Sequence, residues 1–429
     1  MSYQSKIVDA ATRRGQLGSF GDLGPGSLAV DEWAAAGLDL PDVPRMRRYR
    51  LDRLRGELAR LGYGAALLTD PMNVRYATDS TNMQLWAMHN LVRYAFVAVD
   101  GPVVVFDFHG SGHLSDHLEL VDAVRPAQSW FYFHSGPHSA AAAESWATEI
   151  ADLMRDHAPG ELLAVDKLDP LGAQALDEFG VVIVDGQAPC ELARAIKSSD
   201  EVAALRCVVH TAERGIAAMH RALRHGISEQ ELWAQLHAEN IRRGGEWIET
   251  RLLASGQRTN PWFQECSSRV IEHGDVVAFD TDLIGPYGYC ADLSRTWICG
   301  DVRPTVRQRD LYKVAAEQIA HNTGLLRPGV SFFDFAAAAF DLPDRFRANR
   351  YSSILHGVGL CDEYPAVVYP EDAAFAYDGE FAAGMMVCVE SYVGEVGGSD
   401  GIKLEEQVLI SETGVEQVST YPLDAAFLR

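Results

Sequence analysis

Aspartates embedded in apolar segments are the feature of this sequence best suited to chemistry. The segment VVAFDTDLIGPYGYCADLSRTW carries Asp280, Asp282 and Asp292 in two stretches that predict β-strands. Asp280 and Asp282 are two residues apart, so their side chains point to one face of an extended strand. Burying several carboxylates together is costly unless a cation neutralises them. The segment therefore predicts a cation-binding cluster rather than solvated loop carboxylates.

Three later segments add candidate ligands. His356 lies in the glycine-flanked stretch YSSILHGVGLCDEYP, Glu390 in the apolar stretch GMMVCVESY, and Glu405 in GIKLEEQVLI. Strand alternation places Lys403 and Glu405 on one face of the last segment and Glu406 on the other. Combined with the aspartates, these residues predict a dinuclear site rich in oxygen ligands and free of thiolates. Such a site suits Mn, Fe, Co or Zn rather than Cu(I) or an iron–sulfur cluster.

Composition and charge narrow the class of protein and its partners. The 429 residues are 47% hydrophobic and 23% charged, as in ordinary globular proteins. With 37 basic and 60 acidic residues, the formal net charge is −23, which predicts neither a nucleic-acid partner nor an anionic membrane surface. The one basic cluster, RMRRYRLDRLR at 45–55, has amphipathic spacing and is interpreted as a solvated helix face.

The lack of recognisable targeting signals in the sequence, together with its cysteine usage, predicts a cytoplasmic protein. No run of 18 apolar residues indicates a transmembrane helix, and the first 20 residues lack the apolar core of a signal peptide. The seven cysteines form no C-x-x-C pair, so neither a zinc knuckle nor a redox motif is indicated. Free thiols in a reducing compartment fit this pattern best.

The predicted elements indicate an α+β protein in three parts. Residues 1–44 are interpreted as an irregular extension, residues 45–192 as an α/β domain, and residues 193–429 as helices packed on antiparallel strands. Capping boxes at Ser198 and Ser228 mark helix starts. RHGISEQEL at 224–232 is similar to RPGVSFFDF at 327–335, each after a long predicted helix, which indicates a duplication.

Several motifs, in order along the chain, resemble the pita-bread metalloenzymes, which include aminopeptidase P, prolidase and creatinase. They are TDPMNVRYAT (69–78), LLASGQRTNP (252–261), FDTDLIGPYGYCADLSRTW (279–297), HGVGL (356–360), GMMVCVES (384–391) and GIKLEEQ (401–407). The resemblance implies a creatinase-like N-terminal domain and a C-terminal pita-bread domain with a pseudo-two-fold duplication. It also implies two divalent metal ions, held by Asp280 or Asp282 or both, Asp292, His356, Glu390 and Glu405.

Departures from the peptidase pattern favour a different reaction. Where the peptidases place a histidine after their SG motif, this chain has Trp262, Phe263 and Gln264, and at the position of their second histidine it has Glu363. One branch of the superfamily is similar in these departures: the dimethylsulfoniopropionate lyases of the DddP type, which have an aspartate six residues after the ligand histidine, as Asp362 is here. This resemblance implies iron as the metal and a homodimer.

Cleavage of dimethylsulfoniopropionate to dimethyl sulfide and acrylate is a β-elimination, which needs a base near the metals but not bound to them. Asp362 suits this role best and Glu363 second. The substrate is a small zwitterion, and its sulfonium resembles a quaternary ammonium that aromatic rings hold by cation–π contact. The candidate rings are Trp262, Phe263, Tyr351 and Tyr364, with Tyr287 a further one.

Two other functions stay open from the sequence. The first is an Xaa-Pro dipeptidase, aminopeptidase P-like or creatinase-like hydrolase, which would release proline from a dipeptide or cleave another C–N bond. The second is a binding module that keeps the fold without catalysis. The complete ligand set argues against the second, and metal content per chain would separate the two classes.

Overall fold

The computed structural model describes residues 24–429, and its first helix lies where irregular chain was expected. Helix α1 (Ser27–Ala35) buries Ala29 and Trp33, which are four residues apart and share one face. The prediction of an irregular extension is therefore wrong for this stretch, because glycine- and proline-rich flanks obscured a short helical period. The rest of that prediction, over residues 1–23, lies outside the described residues.

The described chain folds as two compact units, one of residues 42–194 and the other of residues 24–41 with 195–429. The helices of the first unit are α2 (Val43–Leu61), α3 (Pro71–Thr78), α4 (Gln84–Ala87), α5 (Tyr132–Ser135), α6 (Ser139–His157), α7 (Pro170–Glu178) and α8 (Gln187–Ala195), the last of which ends at the boundary. Its strands are β1 (Tyr63–Leu68), β2 (Tyr94–Ala98), β3 (Val103–Asp107), β4 (Ala123–Pro126), β5 (Leu162–Val165) and β6 (Ile183–Asp185). They form one mixed sheet in the order β4-β3-β2-β1-β5-β6, as expected for an α/β unit.

The basic cluster on α2 is less solvated than its composition suggests. The side chain of Arg50 is completely buried, and its Nη2 lies 2.8 Å from Asp79 Oδ1. Arg47 Nε lies 2.8 Å from the other oxygen of the same carboxylate. The prediction of a solvated face is therefore wrong at Arg50, since a buried guanidinium is stable when a carboxylate pairs with it. Arg47 and Arg50 are therefore both ion-paired with Asp79 within the first unit.

The second unit carries helices on antiparallel sheets, which confirms the α+β class. Its remaining helices are α9 (Ser199–Ala222), α10 (Glu229–Arg242), α11 (Val306–Leu325), α12 (Phe332–Ala338), α13 (Asp344–Arg347) and α14 (Ala425–Leu428). Its strands are β7 (Trp247–Ile248), β8 (Leu253–Ser255), β9 (Val276–Phe279), β10 (Leu283–Ile284), β11 (Cys290–Ala291), β12 (Arg295–Ile298), β13 (Leu355–Val358), β14 (Asp362–Val367), β15 (Met386–Gly394), β16 (Gly401–Ser411) and β17 (Gly414–Gln417). They form three sheets, in the orders β11-β10-β7, β12-β9-β8 and β14-β13-β15-β16-β17. Within residues 24–429, no helix combines the length and apolarity that crossing a bilayer requires.

Three helices in this unit begin with a serine N-cap. Ser198 and Ser228 each form the predicted capping box, in which the serine and a glutamate three residues later satisfy each other's main-chain N–H groups. Ser331 caps α12 through its hydroxyl. Ser228 and Ser331 both also form an isolated antiparallel bridge, to Val270 and Glu380. The two similar sequence segments therefore share a turn, a cap and a strand contact, as a duplication would produce.

The strand register of the five-stranded sheet sets which side chains can meet. Glu390 on β15 lies directly opposite Glu405 on β16. His356 on β13 lies opposite Cys388 on β15. Helix α11 packs on β15 and β16, and the apolar core between them buries that face of the sheet. The polar side chains discussed below project from the opposite face.

Candidate metal centre

All six predicted ligand residues converge within the second unit. They come from the link between β9 and β10, from the residue after β11, and from three strands of the large sheet. Potential ligand atoms form overlapping groups, within each of which all atoms lie within 4.8 Å of one another. The three groups are Asp280–Asp282–Asp292, Asp280–Glu390–Glu405, and Asp292–His356–Cys388–Glu405. Because Asp280, Asp292 and Glu405 are each shared by two groups, the arrangement suits two neighbouring cations.

The first two aspartates converge for a reason that strand alternation does not supply. Asp280 and Asp282 lie in the irregular link between β9 and β10, and Asp282 has a φ of +37°. Thr250 Oγ1 donates a hydrogen bond of 2.6 Å to Asp282 Oδ2, and the Asp282 main-chain N–H donates to Asp292 Oδ1 at 3.3 Å. This kinked backbone, held by these bonds, turns both carboxylates toward Asp292.

In each of two buried glutamates, one carboxylate oxygen lacks a hydrogen-bond partner among the described residues, as expected of an oxygen that binds a cation. Glu390 and Glu405 are fully buried, and like charges directly opposite each other destabilise a strand pair. The Oε1 atoms of both accept no hydrogen bond from any residue of the described chain. His356 Nε2 lies 3.5 Å from Glu390 Oε1, 3.7 Å from Glu405 Oε1 and 3.5 Å from Asp292 Oδ2. These oxygens and this nitrogen are too far apart for strong hydrogen bonds but match a set of ligands around one ion.

A buried lysine stands on the other side of the same glutamates. Lys403 Nζ lies 2.7 Å from Glu390 Oε2, 3.2 Å from Glu405 Oε2 and 3.0 Å from Asp280 Oδ2. It also donates to Ser294 Oγ at 2.7 Å. Burial lowers the pKa of Lys403, but the three carboxylates outweigh it and raise that pKa well above its usual value. These contacts favour the charged form of Lys403.

The electrostatic environment favours protons on several of the carboxyls unless a cation displaces them. Desolvation and the neighbouring carboxylates raise the pKa of Asp292 and that of Glu405 well above the usual range. Desolvation, with Asp280 and Asp362, raises the pKa of Asp282 to about 8. Desolvation opposes ionisation of Asp280 too, but Lys403 outweighs it, so the pKa of Asp280 is lowered.

We expect the affinity for divalent metal to rise with pH between 6 and 9. Below its pKa of about 8, Asp282 carries a proton that a metal must displace, whereas above it the carboxylate is ready to bind. Titrating the metal-free protein with Mn²⁺ in buffers of different ionisation enthalpy measures the protons released. Release should be greater at pH 6.5 than at pH 9, and Asp282→Asn should reduce the difference. Equal affinity and equal release at both pH values would contradict this electrostatic picture.

The two carboxylates considered as bases have different environments. Asp362 Oδ1 lies 3.5 Å from His356 Nδ1, its side chain is 53% exposed, and it belongs to none of the three ligand groups. Glu363 is buried, and its Oε1 accepts a hydrogen bond of 2.6 Å from the buried Lys197. The Glu363 carboxylate is therefore engaged in a buried ion pair, whereas the Asp362 carboxylate is accessible. Of the two, Asp362 is the one positioned to exchange a proton with a bound molecule.

The structure brings some of the candidate aromatic rings together and separates others. Phe263 is exposed, with its ring 5.3 Å from that of Tyr351, and the Tyr351 ring lies 4.6 Å from Lys403 Nζ. Trp262 is buried, stacks on Tyr392 and packs in the small apolar cluster that Tyr351 borders. Tyr364 instead stacks on Tyr377 and packs against Phe332, and Tyr287 stacks on Trp33.

The sequence analysis missed two residues that bear on the site, one at the base of a neighbouring loop and one among the potential ligands. Glu229 is fully buried, and its carboxylate accepts from the main-chain N–H and the hydroxyl of both Ser255 and Ser267, and from Arg258. It thereby anchors both ends of the loop that carries Trp262 and Phe263. The capping position of Glu229 beside Ser228 hid this role.

Cys388 is the second. Its Sγ belongs to the ligand group around His356 and donates to the carbonyl oxygen of Asp292 at 3.4 Å. Burial raises the pKa of the Cys388 thiol well above its usual value, which favours the uncharged thiol and is compatible with the expected absence of thiolate ligands. The signal was present in the sequence, because Cys388 lies two residues before Glu390 and therefore on the same face of β15.

Several known proteins are similar to this chain over most of its length. The model for metallopeptidase family M24 matches residues 203–412. The dimethylsulfoniopropionate lyase DddP of Roseovarius nubinhibens is 47% identical over 95% of this chain and 93% of its own length. That of Roseobacter denitrificans is 45% identical over the same shares.

Solved structures show the same fold at lower sequence identity. An Xaa-Pro dipeptidase from Bacillus anthracis superposes with a TM-score of 0.70 at 21% identity, covering 87% of this chain and 98% of its own. The dipeptidase PepE from Mycobacterium ulcerans superposes with a TM-score of 0.71 at 21% identity, over 90% and 98%. The chain therefore belongs to the DddP family of dimethylsulfoniopropionate lyases, within the pita-bread superfamily of M24 metalloenzymes.

Proposed function

We propose that this protein cleaves dimethylsulfoniopropionate to dimethyl sulfide and acrylate by a metal-dependent β-elimination. The observation that carries the proposal is the position of Asp362, a half-exposed carboxylate 3.5 Å from His356 and outside the ligand groups. A base beside a metal centre suits removal of a proton from carbon. The names of the relatives that are 45–47% identical over nearly the whole chain support the choice of substrate.

The residues that would hold two divalent metals divide into two sets. Asp292, His356 and Glu405 would hold one ion together with Glu390, whose Oε1 lies 3.5 Å from His356 Nε2. Asp280 and Asp282 would hold the second, with Asp292 and Glu405 near both. Iron is our first choice because of the resemblance to the DddP-type lyases. Mn, Zn and Co are alternatives, because oxygen-rich sites with one imidazole accept all four metals. When bound, the cations would supply Lewis-acid stabilisation of the negative charge that develops on the substrate carboxylate.

Asp362 acts as the base in this proposal. It takes the proton from the carbon next to the carboxylate, the electrons of that C–H bond form the C=C bond of acrylate, and dimethyl sulfide leaves with the electron pair of the broken C–S bond. Desolvation, together with Asp280 and Glu390, raises the pKa of Asp362, while His356 opposes this. A raised pKa makes the carboxylate a better base near neutral pH.

We expect Phe263→Ala to raise KM for dimethylsulfoniopropionate while leaving kcat nearly unchanged. The exposed Phe263 ring, in contact with Tyr351, presents a π-face that suits the sulfonium. A cation–π contact of about 0.5–2 kcal/mol corresponds to a change in KM of about 2- to 30-fold. Steady-state kinetics separate KM from kcat. Phe263→Tyr should behave like the wild type and Phe263→Leu like Phe263→Ala, whereas a normal KM in the leucine variant would point to simple apolar packing.

Headspace gas analysis tests the proposed reaction. Purified protein loaded with Fe²⁺ or Mn²⁺ is incubated with dimethylsulfoniopropionate, and dimethyl sulfide and acrylate are quantified. We expect equal amounts of both products, and their loss after chelation of the metal. The same preparation should release no proline from an Xaa-Pro dipeptide. Proline release without dimethyl sulfide would support the hydrolase alternative instead.

The family resemblance also leads us to propose a homodimer in the cytoplasm. All seven cysteines, each within the described range, are free thiols, which supports a reducing compartment. Native mass spectrometry of the purified protein would give the subunit number, and the same measurement would give the metal content per chain.

A further inference from the structure

The cluster contains a cation of its own that is buried as deeply as the proposed ligands. The side chain of Lys403 is completely buried, and its Nζ contacts Glu390, Glu405 and Asp280 at 2.7–3.2 Å. The hydrogen bonds to Glu390 Oε2, Glu405 Oε2 and Ser294 Oγ use the three donors of the ammonium. Asp280 adds an ion pair at 3.0 Å. Lys403 and Glu405 are two residues apart on β16, so the strand presents both to the same cluster.

The ammonium contacts only one of the two carboxylate oxygens of each glutamate. Lys403 contacts the Oε2 atoms of Glu390 and Glu405, whereas their Oε1 atoms face His356 Nε2 and accept no hydrogen bond from the residues described. One oxygen of each glutamate is therefore held by the lysine, and the other is left for a metal. A carboxylate fixed through one oxygen loses less freedom when a metal binds the other.

Formal charge gives a second argument. The ligand groups contain five carboxylates: Asp280, Asp282, Asp292, Glu390 and Glu405. Two divalent ions neutralise four of these charges, and the Lys403 ammonium matches the fifth. Net charge is costly in a buried site, so a cluster with two metals and no lysine would carry one unmatched carboxylate.

We propose that Lys403 is a resident third cation of the metal centre. It matches the fifth carboxylate charge and holds Glu390 and Glu405 with their Oε1 atoms toward the metals, so that the cluster stays folded and ready to bind when metal is absent. Lys403 is in this sense a positioning residue. The inference rests on the proposed metal centre but not on the identity of the substrate.

Thermal unfolding with and without metal tests the role of Lys403. We expect Lys403→Met to lower the Tm of the metal-free protein much more than that of the Mn²⁺-loaded protein, because Mn²⁺ can still order the carboxylates. The rise in Tm on adding saturating Mn²⁺ should be at least twice that of the wild type. Lys403→Arg keeps the charge and should keep a rise close to that of the wild type.

The chain offers a matched control in its other buried lysine–carboxylate pair. Lys197 is buried to the same degree and pairs with Glu363, which is in none of the ligand groups. Lys197→Met should therefore lower the Tm of the metal-free and the loaded protein equally. If Lys403→Met does the same, Lys403 is an ordinary structural ion pair and the proposal is overturned.

A double variant decides the matter if Lys403→Met does not fold without metal. Asp280→Asn combined with Lys403→Met removes one carboxylate charge together with the ammonium, and we expect it to recover metal-free folding. A double variant as unstable as the single one overturns the proposal. A wild type that binds Mn²⁺ without lyase activity would refute the proposed substrate alone, whereas a wild type that binds no Mn²⁺ would refute both proposals.

Discussion

Asp292→Ala should remove both bound metals and lower turnover of dimethylsulfoniopropionate by about 10³-fold or more. Asp292 is shared by two of the three ligand groups, and its Oδ2 lies 3.5 Å from His356 Nε2. Losing the metals would withdraw several kcal/mol of charge stabilisation, and about 4 kcal/mol corresponds to 10³-fold in rate. Elemental analysis of metal per chain and headspace assay of dimethyl sulfide measure the two effects on one sample.

The stability of the metal-free variant separates this effect from misfolding. Asp292 is buried with its pKa raised by desolvation and by Glu405, so its removal should leave the metal-free Tm unchanged or higher. Asp301→Ala changes an exposed aspartate nine residues further along and should keep metals and turnover. An Asp292→Ala protein with full metal content and full turnover would refute the assignment of Asp292 as a shared ligand.

Asp362→Asn should lower kcat by at least about 10²-fold, the lower end for loss of a general base, while metal content and substrate binding stay close to those of the wild type. The amide keeps the size of the side chain and removes its basicity. Asp362 lies outside the ligand groups, so the metals do not depend on it. Deuterium on the carbon next to the substrate carboxylate should slow the wild type if proton removal limits the rate.

The neighbouring carboxylate supplies the control. Glu363→Gln breaks the buried pair with Lys197, so it should lower Tm while each folded molecule keeps most of its turnover. Normal turnover in Asp362→Asn together with loss in Glu363→Gln would show that Glu363 is the base. Tyr351 is a poor candidate for the base, because desolvation and Glu390 raise its pKa and so disfavour the tyrosinate that would accept the proton.

Local patterns in the sequence identified residues of the candidate site, whereas they did not reveal the long-range contacts around it. Apolar flanks marked Asp280, Asp292 and Glu390, and strand alternation correctly placed Lys403 beside Glu405 and turned Glu406 away, toward Arg295. The capping boxes predicted the starts of α9 and α10. All of these depend on residues within one turn or one strand.

Contacts between distant segments were not predictable in the same way. Lys197 pairs with Glu363 across 166 positions of the chain, and nothing near either residue signals the other. The stacking of Tyr364 on Tyr377 likewise depends on how β14 packs against the segment before β15. Such pairs follow from the tertiary arrangement, which single-strand periods do not encode.

The anchoring of one loop by Glu229 bears on how new substrates could evolve in this fold. Ser255 and Ser267 both bind the same buried carboxylate, so the chain enters and leaves the loop at fixed points. The residues between them form a cassette that carries Trp262 and Phe263 but none of the six proposed ligands. Mutation of this cassette, or its exchange between relatives, would change the side chains offered to the proposed substrate. The six proposed metal-binding residues would stay unchanged.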